Sequence, residues 1–386
     1  MESLSRRDVL RILSGLPFAF DCTTQPAGEL LGTLPFMGTR AFDAPLGRLI
    51  GGPGLDARMF TDLSDLDAGR LITPASRIFI RTSAPADLTP RLAQWKIVAG
   101  PVTIPAAALR SAARPMGEHL IECSGNTDPQ NFGLMSAAAW DGVPLADIVA
   151  RMHPTRLRSS SYGGQAAKDW GVRVSGLDDE SAASRQSVAG ASWVFPLDTL
   201  ERLGAFLAVR MNGEPLPPDH GAPVRLVVPG WYGCTWIKWV NDIALVGRDE
   251  PATSQMREFA GRTHQTGTPE RARDYEPASI DLAATPIRIE KRRLDGRTHY
   301  RVVGIIWGGD RTTDRLMIRF SPNEPFQSFD ICPPQRTHRT WSLWEYRWTP
   351  ERPGVYDIVL KAADPRIRTR RLDVYFYSRR VRVHDV

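Results

Sequence analysis

Apolar residues along this chain keep changing rhythm, and the changes divide it. Residues 28–75 are rich in Gly, Pro and Leu without a period, which predicts an extended lead-in wrapping a domain. Short apolar or alternating runs then recur. Arg77–Arg81, Trp95–Gly100, His119–Cys123, Val172–Gly176 and Val224–Gly230 predict strands. Ile104–Leu109 predicts a helix start with Pro105 near its first turn. Trp140–Leu145 carries Asp141-Gly142 and predicts a turn into a helix through Ile148. Without a regular strand–helix beat, this part is predicted to be α+β. Residues 249–278 are polar with few apolar anchors and predict a linker or a crossing segment. From residue 280 onward only strand signals appear: Tyr300–Trp307, Leu316–Phe320, Trp341–Trp348 and Gly354–Leu360. Short strands separated by turns predict a β-sandwich of immunoglobulin type.

Composition narrows the class. The 386 residues suggest two or three domains, at roughly 150 residues each. No stretch approaches the roughly 20 apolar residues of a membrane span. The 32 Gly and 31 Pro favour turns over long helices. Four cysteines (Cys22, Cys123, Cys234, Cys332) form no CxxC pair, which argues against a disulfide scaffold and a zinc ribbon. The net charge of +6 is compatible with an anionic ligand without requiring nucleic acid. The basic tail from Arg366 to Arg382, with Tyr375, Phe376 and Tyr377, reads as strands with arginine on the wet face. The Trp residues of 307–348 read as sandwich core.

Residues 1–27 read as an address. Ser5-Arg6-Arg7-Asp8-Val9-Leu10 resembles a twin-arginine export motif, followed by a weak apolar run to Phe20. That route carries folded proteins, and its usual reason is a cofactor inserted before export.

Two stretches carry chemistry. In His119–Pro144 a cysteine leaves a strand into Ser124-Gly125-Asn126, where backbone N–H groups favour a thiolate that attacks electrophiles or binds metals. In Met211–Val246, His220, Arg225 and Lys238 gather at Pro- and Gly-bounded turns suited to a phosphate or a polar heterocycle. Read one at a time, these residues also suit an inert buried cysteine and solvated loop charges. Cys123 with His119 or His220 would also suit a cysteine hydrolase.

Together the two stretches closely resemble the molybdopterin-dependent oxidoreductases of the sulfite oxidase family. The residues that carry the likeness are Glu122-Cys123-Ser124-Gly125-Asn126, Ala139–Leu145, Asn212–Pro217, Asp219-His220-Gly221, Pro223-Val224-Arg225 and Ile237-Lys238-Trp239. Gly304–Gly309, Trp341 with Trp344, and Pro353–Tyr356 resemble the family's sandwich domain. The Glu-Cys-Ser-Gly-Asn form resembles the bacterial, sulfane dehydrogenase-like branch more than the animal enzyme.

The resemblance implies a molybdenum cofactor, with Cys123 as the metal ligand beside the pterin's dithiolene sulfurs. Asp178, His220, Arg225, Trp236, Ile237 and Lys238 would hold the pterin and its phosphate, and Arg81 would face the metal as a catalytic residue. The implied architecture is a leader to residue 27, a cofactor domain over 28–250 and a sandwich over 251–386 that commonly mediates dimerisation. Sulfite-oxidising members place arginines where Thr127 and Asp128 stand here, and an Asp-Tyr pair where Glu258-Phe259 stands. Arg81, Arg257 or Lys168 are candidates to replace the lost charge. No haem-binding C-x-x-C-H is present, so electrons would leave through a separate carrier such as a c-type cytochrome. The implied activity is oxidation of a sulfite- or sulfane-type compound. A non-catalytic or differently specific relative, for example one acting on a sulfoxide, is the alternative.

Overall fold

A computed structural model of the chain describes residues 28–37, 46–126, 133–152, 170–179, 189–331, 337–367, 369 and 378–385. The leader reading, Cys22, Thr127, Asp128, Lys168, Cys332 and the aromatic part of the basic tail lie outside the described residues.

Besides a small three-stranded sheet of Ile50–Gly51, Asp56–Met59 and Ile80–Thr82, the first half is built on two five-stranded sheets over one apolar core. One runs in the order Ser192–Pro196, Trp170–Gly176, Val240–Gly247, Lys96–Ala99, Val102–Pro105, and the contact of Val240–Gly247 with Lys96–Ala99 is parallel. The other runs Glu214–Pro215, Phe206–Met211, Met135–Pro144, Arg114–Glu122, with Arg225–Val227 also paired to Phe206–Met211. Helices Ala106–Ala112, Leu145–Met152 and Leu197–Leu203 cover the core between them. Leu145, Ile148, Val149 and Met152 form the buried stripe of the second helix at the spacing of successive turns. The third helix stops at Gly204, whose left-handed φ of 67° lets its N–H reach the Leu200 and Glu201 carbonyls.

The second half is a sandwich. Ala283–Leu294 and Arg297–Trp307 form a long hairpin closed by Asp295-Gly296. Both turn residues have positive φ, 51° and 74°, the conformation that matches a two-residue turn to strand twist. Ser342–Trp348 adds to this sheet, and the facing sheet holds Gln327–Asp330, Arg315–Arg319, Gly354–Ala362 and Arg379–Val383. Side chains of both sheets meet in one core, where Phe320 stacks on Trp348 at 4.3 Å. The fold is thus α+β followed by a β-sandwich.

Four sequence expectations are corrected. The lead-in does not belong wholly to the first domain, since Glu29–Thr33 pairs with Ala283–Leu294 and Phe36–Met37 pairs with Arg379–Val383. Each completes an open edge of a sandwich sheet, where unpaired N–H and C=O groups gain partners. Residues 251–278 are no free linker. They form the helix Ser254–Phe259, and Ala252, Met256, Ala272 and Ala278 are buried in the core of the first half, so the division near 250 moves toward 280. Asp141-Gly142 makes no turn, because Met135–Pro144 is one continuous strand. Gly142 is there for space, since a Cβ would collide with the Leu207 carbonyl oxygen. Arg77–Arg81 is split: Ala75–Arg77 is a 3-10 turn, and the strand begins at Ile80.

Candidate functional site

Strand Arg114–Glu122 ends one residue before Cys123. The loop beyond it is held by its own backbone: Cys123 N–H donates to the Leu134 carbonyl at 2.9 Å, and Asn126 N–H to the Cys123 carbonyl at 2.8 Å. The Gly125 N–H donates to Cys123 Sγ at 3.4 Å. The sulfur is turned into a cavity of about 390 Å³, within the usual range for a small-molecule site.

All eight site residues expected from the sequence line this one cavity: Cys123, Arg81, Asp178, His220, Arg225, Trp236, Ile237 and Lys238. They come from different elements. Arg81 lies on the strand Ile80–Thr82, Asp178 on the turn after Trp170–Gly176, and His220 on the 3-10 turn Pro218–His220. Arg225 opens the strand Arg225–Val227. Gly221, at φ 99°, lets the chain reverse between His220 and Arg225, and a Cβ there would press on Arg225 and Lys238.

Part of the cavity wall is cationic and buried. Arg225 packs against a pair of touching indoles, 5.4 Å from the Trp140 ring and 5.7 Å from that of Trp236. It donates to the His220 carbonyl at 3.1 Å and the Trp236 carbonyl at 3.3 Å. Burial pulls its pKa down to about 9. Lys238 Nζ donates to the carbonyls of Thr82 at 2.6 Å and Asp219 at 2.9 Å, and sits 4.4 Å from the Trp239 ring. Burial lowers the pKa of Lys238 and raises that of Asp178, because each would otherwise hold its charge away from water. His220 is driven down to about 3, first by burial and then by Arg225 and Lys238, so it is a neutral imidazole.

Arg81 is paired with Asp56 at 3.0 Å, and its charge bears on Lys238. Other residues gather around Cys123. Arg257 does not line the cavity, but Arg262 does, along with Arg58. A Cβ built on Gly125 would lie 3.4 Å from Arg262 Nη1 and 3.7 Å from Cys123 Sγ, so guanidinium and sulfur flank the same glycine. Arg262 has no carboxylate partner among the described residues, and its guanidinium lies 5.7 Å from the Phe259 ring. Glu258 and Phe259 also reach the wall. Cys234 lines the cavity too, and burial pushes its thiol up to about 12, which keeps it protonated and inert. His119, one candidate partner for a thiol nucleophile, instead donates from Nε2 to the Met116 carbonyl at 2.9 Å and does not line the cavity.

Sequence reasoning missed Arg58, Asp219 and Arg262. Asp219 was visible within Asp219-His220-Gly221, but its carboxylate accepts the Ala84 N–H at 2.7 Å, a contact across 135 residues. Arg262 carried no signal because its segment read as a linker.

These residues fit a molybdenum cofactor. Two cysteines line the cavity, of which Cys234 is held protonated and Cys123 is left as the soft sulfur donor, and among the described residues no group of three or more His, Cys, Asp or Glu could hold a metal alone. The remaining ligands would be the pterin's sulfurs. Asp178 Oδ1 and Arg225 Nε are buried without hydrogen-bond partners, as expected where a ligand's polar edge completes the set. Two buried cations without a carboxylate ion pair among the described residues suit a phosphate.

Comparison with known proteins agrees. The oxidoreductase molybdopterin binding domain family matches residues 87–254. The chain is 26% identical over 329 residues to the sulfite oxidase of Gallus gallus, covering 78% of this chain and 68% of that one. It is 24% identical over 326 residues to the mitochondrial sulfite oxidase of Mus musculus, covering 76% and 56%. With an NADPH nitrate reductase of Fusarium oxysporum it shares 27% over 220 residues, covering 53% and 22%. The matched region spans about half the length of several of these curated relatives. Among solved structures, the sulfane dehydrogenase SoxCD of Paracoccus pantotrophus superposes with a TM-score of 0.59 at 18% identity, covering 92% of this chain and 88% of that one. Cavity, cradle and these likenesses lead to one assignment: residues 87–254 form a molybdopterin-binding oxidoreductase domain similar to that of the sulfite oxidases.

Proposed function

We propose that this protein is an exported molybdenum-cofactor enzyme that oxidises a small anionic sulfur compound, of sulfite or sulfane type, and passes the electrons to a separate carrier protein such as a c-type cytochrome. The observation that carries the reading is one cavity lined by both the Cys123 sulfur and the buried Arg225–Lys238 pair. The bound cofactor supplies two-electron, oxygen-atom transfer. The chain supplies position and charge. Arg225, Lys238 and neutral His220 hold the phosphate end, and Asp178 accepts hydrogen bonds from the pterin. Cys123 fixes the metal end. Arg262, beside Gly125, binds an anion arriving at that end, in the absence of arginines at positions 127 and 128. Pairing of two such chains through the sandwich belongs to the same reading.

A second reading is a relative that takes a neutral oxo compound such as a sulfoxide. It is favoured by the Phe259 ring in the cavity wall, which offers no hydroxyl.

Protein made in cells competent for cofactor synthesis is expected to hold about one molybdenum per chain. Sulfite or thiosulfate is expected to reduce the centre, and Cys123→Ser should abolish turnover with the melting temperature unchanged. Oxidation of the reduced centre by dimethyl sulfoxide, with no response to either sulfur anion, supports the second reading. A metal-free preparation from such cells refutes both.

A further inference from the structure

The residue before Cys123 is tied to the other domain. Glu122 is 1% exposed, and its Oε2 accepts the indole N–H of Trp307 at 2.9 Å. Its Oε1 accepts Asn126 Nδ2 at 3.2 Å, and Asn126 Oδ1 in turn accepts the Leu134 N–H at 3.1 Å. Asn126 is itself fully buried and closes the Cys123 loop from the far side. The loop therefore hangs between two ends of one hydrogen-bonded chain, and one end is a side chain from the last position of the sandwich strand Arg297–Trp307.

The setting is rigid. Trp307 is buried in a core shared by both halves, where Leu63, Leu120 and Met135 pack with Ile305, Trp341 and Leu343. The Leu120 N–H also donates to the Arg339 carbonyl of the sandwich at 2.8 Å. Trp341 makes a similar bond in this shared core, to the Leu71 carbonyl at 2.8 Å, but away from the Cys123 loop. A buried carboxylate needs donors aimed at it, and a charged acceptor makes the stronger bond. The Trp307 bond thus fixes Glu122, and through the backbone it fixes the orientation of the next residue.

We infer that Trp307 is a positioning residue for the metal loop: the sandwich domain, through the Trp307–Glu122 hydrogen bond, sets the direction of the Cys123 sulfur. The inference rests on the reading of Cys123 as the metal ligand, but the geometry it describes exists without the metal.

The test has two arms. In full-length protein from cells unable to make the cofactor, iodoacetamide alkylation of Cys123 is followed by mass spectrometry of its peptide. In protein from competent cells, molybdenum retained through gel filtration in chelator is measured. Trp307→Phe keeps the ring and removes the N–H. It is expected to change the Cys123 alkylation rate and to cut molybdenum affinity by about 10-fold, the usual cost of losing a group that orients a metal ligand. Trp341→Phe loses an indole N–H in the same core and is expected to leave both readouts at wild-type values. Glu122→Met removes both acceptor oxygens, so it is expected to be at least as damaging as Trp307→Phe, and the double variant to be no worse than Glu122→Met alone, because the Trp307 bond is already gone. If Trp307→Phe does not accumulate, Glu122→Met carries the same readouts. Equal behaviour of the Trp307 and Trp341 variants overturns the inference, as do effects of Trp307→Phe and Glu122→Met that multiply. A wild-type protein lacking molybdenum refutes the functional reading, while the alkylation arm still decides the positioning role.

Discussion

At the scale of single residues, the site is a set of groups kept in costly states. Arg225 and Lys238 are cations out of water, and Asp178 is a buried carboxyl with an unpartnered oxygen. Each pays a desolvation cost that a phosphate and a polar ring would offset. Arg262 differs, because its guanidinium reaches solvent at the Cys123 end. Replacing it with Ala is expected to raise KM for an anionic substrate by about 10-fold through loss of one charge-assisted hydrogen bond, with molybdenum content unchanged. Steady-state kinetics in parallel with metal analysis checks this, and an unchanged KM would remove Arg262 from the substrate site.

Two histidines give the molecule a pH signature. His119 is pushed down from 6.5 to about 4, first by burial, and His220 from 6.5 to about 3. Both are neutral when folded, while the unfolded chain protonates them below about 6.5. The folded state therefore loses their contribution as pH falls from 6.5 toward 4 and 3. Asp178 and Asp242, with their pKa values raised, act in the opposite direction, while the lowered values of His299 and His338 add to the fall. The melting temperature is expected to fall over this window, and His119→Gln should flatten the fall. Proton uptake on unfolding at pH 5, measured by calorimetry in buffers of different ionisation enthalpy, is the direct check.

At the scale of elements, the helix Ser254–Phe259 shows why part of the site was unreadable. It is six residues long and has few apolar positions, so its sequence reads as linker. Its stability is tertiary. The Thr253 hydroxyl accepts the Met256 N–H at 3.2 Å as an N-cap and donates to the Ser192 carbonyl at 2.6 Å, which docks the helix on the neighbouring strand. Thr253→Ala is expected to cost about 1 kcal/mol, the usual worth of a cap. Because Gln255, Glu258 and Phe259 ride on this helix, cofactor retention should weaken as well, measurable as faster loss of molybdenum on dilution. The strands behaved differently. Val172–Gly176 and the strand Arg225–Val227 were legible because valines recur in short runs closed by glycine or proline, the residues that suit a pleated, half-buried surface. Trp140–Pro144 was not, because Asp-Gly marks a turn locally and only the approach of Leu207 makes the glycine a strand residue.

At the scale of the whole molecule, the two halves share a core and a hydrogen-bonded route to Cys123. The lead-in strands Glu29–Thr33 and Phe36–Met37 close both sandwich sheets, so this early segment is folded with the second half of the chain. Such an interlocked fold, built around a buried cofactor, suits assembly before transport. Replacing Arg6-Arg7 with Lys-Lys is expected to leave a loaded, folded protein in the cytoplasm, and its normal appearance in the periplasm would refute the export reading. Among the described residues no helix is long and apolar enough to cross a membrane.

The sequence by itself determined the chemical type of the site. A cysteine leaving a strand into Ser-Gly-Asn, and His220, Arg225 and Lys238 in their ordered turns, are local patterns written over a few residues each. Only the tertiary structure decided which groups surround that chemistry. Arg81 meets Asp56, Arg262 meets Gly125, and Glu122 meets Trp307 across 185 residues. Such contacts depend on how sheets and loops pack and leave no local period, so a chain read residue by residue carries the partners but not their pairing.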